Sequence, residues 1–211
     1  MSTTYAAGLV WLRRDLRLRD NAALYHALTT CRQVHCAFLF DSDILAELPR
    51  ADRRVEFIHD AVVALDASLQ ELASAGLLVL HGTAMEQIPR LASELGVQAV
   101  FANHDDEPRA IERDLAVRSA LGAAGVALHT SKDQVIFERE EVLTQAGKPY
   151  SVFTPYSRAW LAKLDDFYVK AYPVERYAQR LAKGRQPVPT LAALGFKPTN
   201  LHDLPLGRGE A

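Results

Sequence analysis

GLVWLRRDLRLRDN, residues 8–21, is the stretch that decides the fold. Its first five residues are apolar with no alternation. An apolar run that short and continuous suits a strand buried on both faces, as in a parallel sheet covered by helices on both sides. The next nine residues carry four arginines and two aspartates. They therefore fall at the carboxyl end of that strand. Four similar runs recur downstream, at residues 34–40 (VHCAFLF), 77–80 (LLVL), 99–102 (AVFA) and 126–129 (VALH).

The intervals between the runs have helical spacing. Val55, Ile58, Val62, Leu65, Leu69 and Leu72 advance by threes and fours, which places them on one stripe of a helix, with Asp60, Ser68 and Gln70 opposite. Met85, Ile88, Leu91, Ala92 and Leu95 repeat the pattern. Gly76 and Gly96 fit helix C-terminal positions, where a left-handed turn favours glycine. Thr83 with Glu86 reads as a capping box. Strand and helix alternating with short connections predict a doubly wound α/β domain with a five-stranded parallel sheet and helices on both faces. The regular part ends near Ser131. Residues 132–170 form an irregular segment with a helix at about 155–164. Residues 171–211 are rich in proline and glycine and read as a linker with little core of its own.

Composition narrows the function classes. Apolar residues make up 49% of the 211 and charged residues 24%, the balance of an ordinary globular chain. No apolar run approaches the roughly 20 residues needed to span a bilayer, and the N-terminus lacks a basic, then apolar, signal pattern, so a cytoplasmic protein is expected. The net charge of −2 lacks the basic excess of a surface that grips nucleic acid through phosphates. Cys31 and Cys36 are too few for a disulfide framework and read as core thiols.

In an open parallel sheet, ligands bind beyond the carboxyl ends of the strands, where strand order reverses. The loops concerned are residues 13–21 (RRDLRLRDN) and 103–108 (NHDDEP). Neither holds G-x-G-x-x-G, and no G-x-x-x-x-G-K-[ST] occurs, so a glycine cradle for pyrophosphate is missing. The first loop also has a purely structural reading. Its arginines and aspartates pair and brace the turn, and Asp20 or Asn21 caps the first helix. Pro108 is the natural first residue of the helix after the fourth strand. The seven histidines show no metal-ligand spacing, and no G-x-S-x-G elbow is present.

V-W-L-R-R-D-L-R-L-R-D-N, residues 10–21, resembles the opening signature of photolyases and cryptochromes. Asn103, Glu107 and Pro108, followed by Glu112-Arg113-Asp114, resemble the family's fourth-strand loop and helix. Tyr150-Ser151-Val152-Phe153-Thr154-Pro155-Tyr156 with Trp160 resembles the segment leading out of its α/β domain. The resemblance covers roughly residues 8–165. It implies a Rossmann-like α/β domain over residues 1–131 and, in a full-length protein, a helical domain that binds FAD and meets damaged DNA. The chain is thus expected to be the N-terminal part of a cyclobutane pyrimidine dimer photolyase, a carbon–carbon lyase, and a monomer. Alone it would be inactive, with no catalytic residue and no metal. A cryptochrome blue-light sensor and a stand-alone nucleotide-binding α/β module are the alternatives.

The family's α/β domain commonly holds a light-harvesting antenna chromophore. Where folate-type members carry an Asn-Glu pair, this sequence has Arg109-Ala110. The pattern Asn-x-Asp-x-Glu-Pro, met by Asn103, Asp105, Glu107 and Pro108, resembles deazaflavin- and flavin-type members, as does Arg54. The resemblance therefore favours a deazaflavin or flavin over methenyltetrahydrofolate. The candidate antenna residues are Trp11, Arg13, Asp15, Phe40, Asp41, Arg54, Asn103, Asp105 and Glu107. Asp105 and Glu107 could accept hydrogen bonds from ring N–H groups or hydroxyls, and Arg54 could donate to a ring carbonyl. Trp11 and Phe40 are either core residues or flat apolar walls.

Overall fold

The structure is a computed structural model and describes residues 4–205. Five parallel strands, β1 (Tyr5–Leu12), β2 (Cys31–Asp41), β3 (Leu77–Gly82), β4 (Ala99–Asn103) and β5 (Ala127–Ser131), form one sheet in the order β3-β2-β1-β4-β5. The chain steps outward from β1 to β3, then crosses back to β4 on the other side. Strand order therefore reverses between β1 and β4, as the sequence predicts.

The apolar runs are buried on both faces. Val10, Leu12, Phe38 and Phe40 face a core completed by α1 (Ala22–Thr30) and α3 (Arg53–Ala73). Leu9, Trp11, Leu39 and Val100 face a second core completed by α4 (Ala84–Glu94) and α5 (Pro108–Ala123). Cys31 and Cys36 are both buried free thiols, and burial pushes Cys36 up to about 12. A short helix, α2 (Ser42–Leu45), follows β2, and α6 (Phe153–Lys163) lies beyond the sheet with no buried residue. Among the described residues no helix is long and apolar enough to cross a membrane.

Several local expectations are modified. On α3, Val55, Val62, Leu65 and Leu69 are buried, but Ile58 is 38% exposed, and the acids Glu56 and Asp66 are buried instead. Thr83 is the N-cap of α4, yet its side chain makes no capping bond, so the box is not closed. Gly96 has the left-handed φ of +63° expected at a helix end. At the end of α3, however, Ser74 takes that conformation, with φ +49°. Gly76 is needed for a different reason: a Cβ there would stand 2.5 Å from Arg185 Cβ and 2.9 Å from the Gly184 carbonyl oxygen.

That close approach shows where residues 171–205 go. They run back over the α1/α3 face, where Val174, Ala178, Leu181, Leu194 and Phe196 join the first core. Leu181 forms a parallel bridge with Val34. Arg185 pairs with the buried Asp66 at 2.8 Å, and Asp66 in turn accepts from Leu77 N–H at 2.9 Å. A stretch rich in proline and glycine has no period for the eye to catch, yet its scattered apolar side chains extend the domain's core.

Candidate functional site

Beyond the carboxyl ends of β1, β2 and β4 lies an open cleft of ≈ 1210 Å³. The register explains its shape. Leu12, the last residue of β1, pairs with Phe38, whereas β2 continues to Asp41. Three extra residues at about 3.3 Å each raise one wall roughly 10 Å above the floor. α2 and the first turns of α3 extend that wall with Ile44, Leu45, Leu48, Val55 and Ile58. The opposite wall is the loop after β4 with the start of α5, contributing Asp105, Glu107 and Arg113. Trp11, Arg13 and Asp15 lie between the two walls.

The loop after β1 is fixed by a buried polar network. Asp15 Oδ1 accepts from Arg13 N–H at 2.8 Å, while Oδ2 accepts from Asn21 Nδ2 at 3.1 Å and Asn103 Nδ2 at 2.6 Å. Asn21 caps α1 by accepting from Leu24 N–H. Asn103 Oδ1 accepts from Ala23 N–H at 2.9 Å. Arg13 donates to both oxygens of Asp114, at 2.6 and 2.7 Å, and to the Asn103 carbonyl. Arg17 pairs with Asp133 at 2.9 Å. The turn is braced and Asn21 is its cap, but Arg13 and Arg17 do not pair with the loop's own aspartates: their side chains reach Asp114 and Asp133, and the two charged loops are bonded to each other.

Across the mouth, Arg14 meets Glu107 at 2.8 Å and Asp105 at 3.5 Å. The Arg14–Glu107 pair is mostly exposed and contributes little to stability. Asp105 is better shielded. Its Oδ1 accepts from Glu107 N–H at 3.3 Å, and carboxylate lone pairs remain for a ligand donor. Asp41, the N-cap of α2, accepts from Asp43 N–H at 3.1 Å. Burial pushes its carboxyl above the ordinary value, and that bond and the charge of Arg113 only partly oppose the shift.

Seven of the nine candidate residues line this one cleft: Trp11, Arg13, Asp15, Phe40, Asp41, Asp105 and Glu107. Asn103 and Arg54 do not. Asn103 is buried beneath it as the brace just described. Arg54 stands outside, holding Asp52 at 2.6 Å at the helix start, and this bond keeps the Asp52 carboxyl below its usual range. Trp11, open in the sequence between core and wall, sits with the core. It is 2% exposed, and the guanidinium groups of Arg13 and Arg113 lie 4.8 and 5.1 Å from its ring centre. The accessible apolar surface comes instead from Ile44, Phe57 and Ile58, which are 37–55% exposed at the mouth. Arg113 and the α2 turn were not foreseen. The signal for α2 was Asp41-Ser42-Asp43 followed by Ile44, Leu45 and Leu48, a capped apolar turn too short to show a period.

A family model described as DNA photolyase matches residues 8–177. The chain belongs to the DNA photolyase family. An uncharacterised 31.6 kDa protein of Synechococcus sp. is 35% identical over 99% of this chain and 72% of its own length. The deoxyribodipyrimidine photo-lyase of another Synechococcus sp. strain is 36% identical over 74% of this chain and 32% of its own. Among solved structures, a class III photolyase from Agrobacterium tumefaciens superposes with a TM-score of 0.75 at 28% identity, over 92% of this chain and 39% of that one. An archaeal photolyase from Sulfolobus tokodaii, described as containing two FAD molecules that imply a novel light-harvesting cofactor, superposes with a TM-score of 0.64 at 26% identity, over 75% and 35% of the two chains. The doubly wound sheet is the N-terminal α/β domain of these photolyases, and the chain spans about a third of the photo-lyase length it matches.

Proposed function

We propose that the cleft holds a light-harvesting chromophore of the deazaflavin or flavin type, and that the domain serves a cytoplasmic, monomeric photolyase that repairs cyclobutane pyrimidine dimers in DNA. When bound, such a chromophore supplies absorption of light and transfer of the excitation to an FAD. The protein's own task is geometric: to hold a flat ring at fixed position and orientation, shielded from water.

The observation that carries this reading is the cleft's division of labour. Ile44, Leu48, Phe57 and Ile58 offer apolar contact over the buried Phe40, and Asp41 and Asp105 offer acceptors where a flat heterocycle presents N–H and hydroxyl donors. The volume exceeds the few hundred to about 1,000 Å³ of ordinary small-molecule sites, which leaves room for a tricyclic ring with its side chain. Arg13, Asp15 and Asn103 spend their polar groups on one another, so they fix the floor of the cleft. The second FAD in the Sulfolobus tokodaii photolyase supports a flavin-type occupant for this chain as well.

Titration of the purified 211-residue chain with FMN, an 8-hydroxy-5-deazaflavin and methenyltetrahydrofolate, followed by equilibrium dialysis, tests the reading. One of the first two is expected to bind at one equivalent and more tightly than the folate. Asp105→Ala should weaken that binding by about tenfold, the worth of one charge-assisted bond. Preferential binding of the folate would overturn the chromophore class. Binding of none of the three would overturn the cleft's function.

A further inference from the structure

The wall formed by α2 and the start of α3 faces the cleft on one side. On its other side it is held by residues 187–203, which lie across it as a strap. The contacts are regularly spaced. The Arg50 carbonyl accepts from Lys197 N–H at 2.7 Å, and the Arg50 guanidinium lies 5.5 Å from the Phe196 ring centre. Arg53 donates twice to Asn200 Oδ1, at 2.8 and 2.6 Å. Glu56 Oε2 accepts from Thr199 N–H at 2.8 Å and from the Thr199 hydroxyl, while Oε1 faces His202 Nε2 at 3.4 Å. His59 Nε2 meets the Pro189 carbonyl at 2.9 Å.

Arg53, Glu56 and His59 are three residues apart and share one face of the helix. Val55, Ile58 and Ala61 occupy the neighbouring face and line the cleft. The same helical turns thus carry the strap on one side and the ligand wall on the other. Glu56 is only 2% exposed, so its carboxylate depends on the groups that bond to it. Leu194 and Phe196 of the strap are buried in the same core cluster as Val55 and Phe40, against which Leu45 and Leu48 pack.

We propose that the strap is a positioning element for the cleft: Thr199, through its bonds to Glu56, and Phe196, through the core beneath α3, set the place of residues 44–58 and thereby the affinity for the chromophore. This rests on the reading of the cleft given above. None of the three residues lines the cleft. Their influence passes through α3, which is too short a path from strap to ligand to absorb a displacement, because packed interiors transmit strain.

Hydrogen–deuterium exchange on the full chain, paired with FMN titration, tests the coupling. Thr199→Val and Phe196→Ala are expected to speed exchange of the amides of residues 44–58 by on the order of tenfold. The amides of residues 9–12, in the central strand, should keep their wild-type rates. FMN affinity should fall by about fivefold, and Thr199→Ser, which restores the hydroxyl, should recover both readouts. Should Phe196→Ala also speed residues 9–12, the whole domain has loosened and Thr199→Val decides. Faster exchange at residues 197–201 with residues 44–58 unchanged would overturn the proposal, since the strap would then be loose and the wall indifferent to it. If the wild-type chain binds no FMN, the chromophore reading fails, and the exchange experiment still decides the coupling.

Discussion

Replacing Asn103 with leucine is expected to lower the stability of the domain by about 3–5 kcal/mol, although the two side chains are of similar size. The Asn103 amide donates to Asp15 at 2.6 Å and to Asn21 at 3.0 Å, and accepts from Ala23 N–H at 2.9 Å. Asp15 is 5% exposed, so water cannot replace the lost donor without the loop opening. The Ala23 N–H lies in the first turn of α1, where no intrahelical partner exists. Each buried group left unpaired costs about 1–3 kcal/mol, more for the carboxylate. The costs fall short of a simple sum because the groups share one network. Urea unfolding should show a lower midpoint at unchanged slope. A loss below about 1 kcal/mol would mean that the network is solvated and does not brace the loop.

The second large effect falls on binding. Ile58→Glu is expected to weaken chromophore affinity by about 100-fold, equivalent to about 2.7 kcal/mol, while leaving stability within about 0.5 kcal/mol. Ile58 is 38% exposed and lies in the apolar stretch of the wall. A carboxylate there stays hydrated in the free protein at little cost. A flat apolar ring seated against it would strip that water away, and the arginines around the wall are already paired, Arg14 with Glu107, Arg109 with Glu47 and Arg54, one turn back on α3, with Asp52. Equilibrium dialysis with thermal unfolding in parallel separates the two quantities. A variant that binds as wild type would show that the ligand does not touch this wall.

The two predictions draw on residues that the sequence reveals to different degrees. The five strands and the helices between them are legible because both-face burial writes itself as unbroken apolar runs, and α3 and α4 show their period plainly. The charged loops are found by topology: whatever follows β1 and β4 must sit at the reversal point. Asn103 stands at the reversal point, where its side chain bonds to Asp15, Asn21 and Ala23 N–H beneath the cleft, because a loop asparagine can serve a ligand or its own backbone with the same bonds. Ile58 is the opposite case. Its spacing marks it as core, yet the helix carries a wider apolar stripe than the core covers, and the excess lines the cleft. Arg54 does not line the cleft, because a helix-start arginine finds its nearest aspartate, Asp52, two residues away. The return of residues 171–205 was hidden because the contacts of Thr199 with Glu56 and of Arg185 with Asp66 and Gly76 are separated by more than a hundred residues and leave no local period.

Trp11 and Trp160 are the only tryptophans, which gives the most direct measurement of where the ligand sits. Trp11 lines the cleft, while Trp160 lies on α6 with its ring centre 5.5 Å from that of Phe137. In an NMR titration with FMN of protein carrying nitrogen-15 and carbon-13-labelled isoleucine methyl groups, two indole signals should be seen, assigned by Trp160→Phe. Movement of the Trp11 indole and the Ile44 and Ile58 methyl groups, saturating at one equivalent while Trp160 stays still, is the result expected of a chromophore seated between the loops after β1 and β4. Binding that shifts Trp160 and leaves Trp11 and Ile58 in place would contradict it.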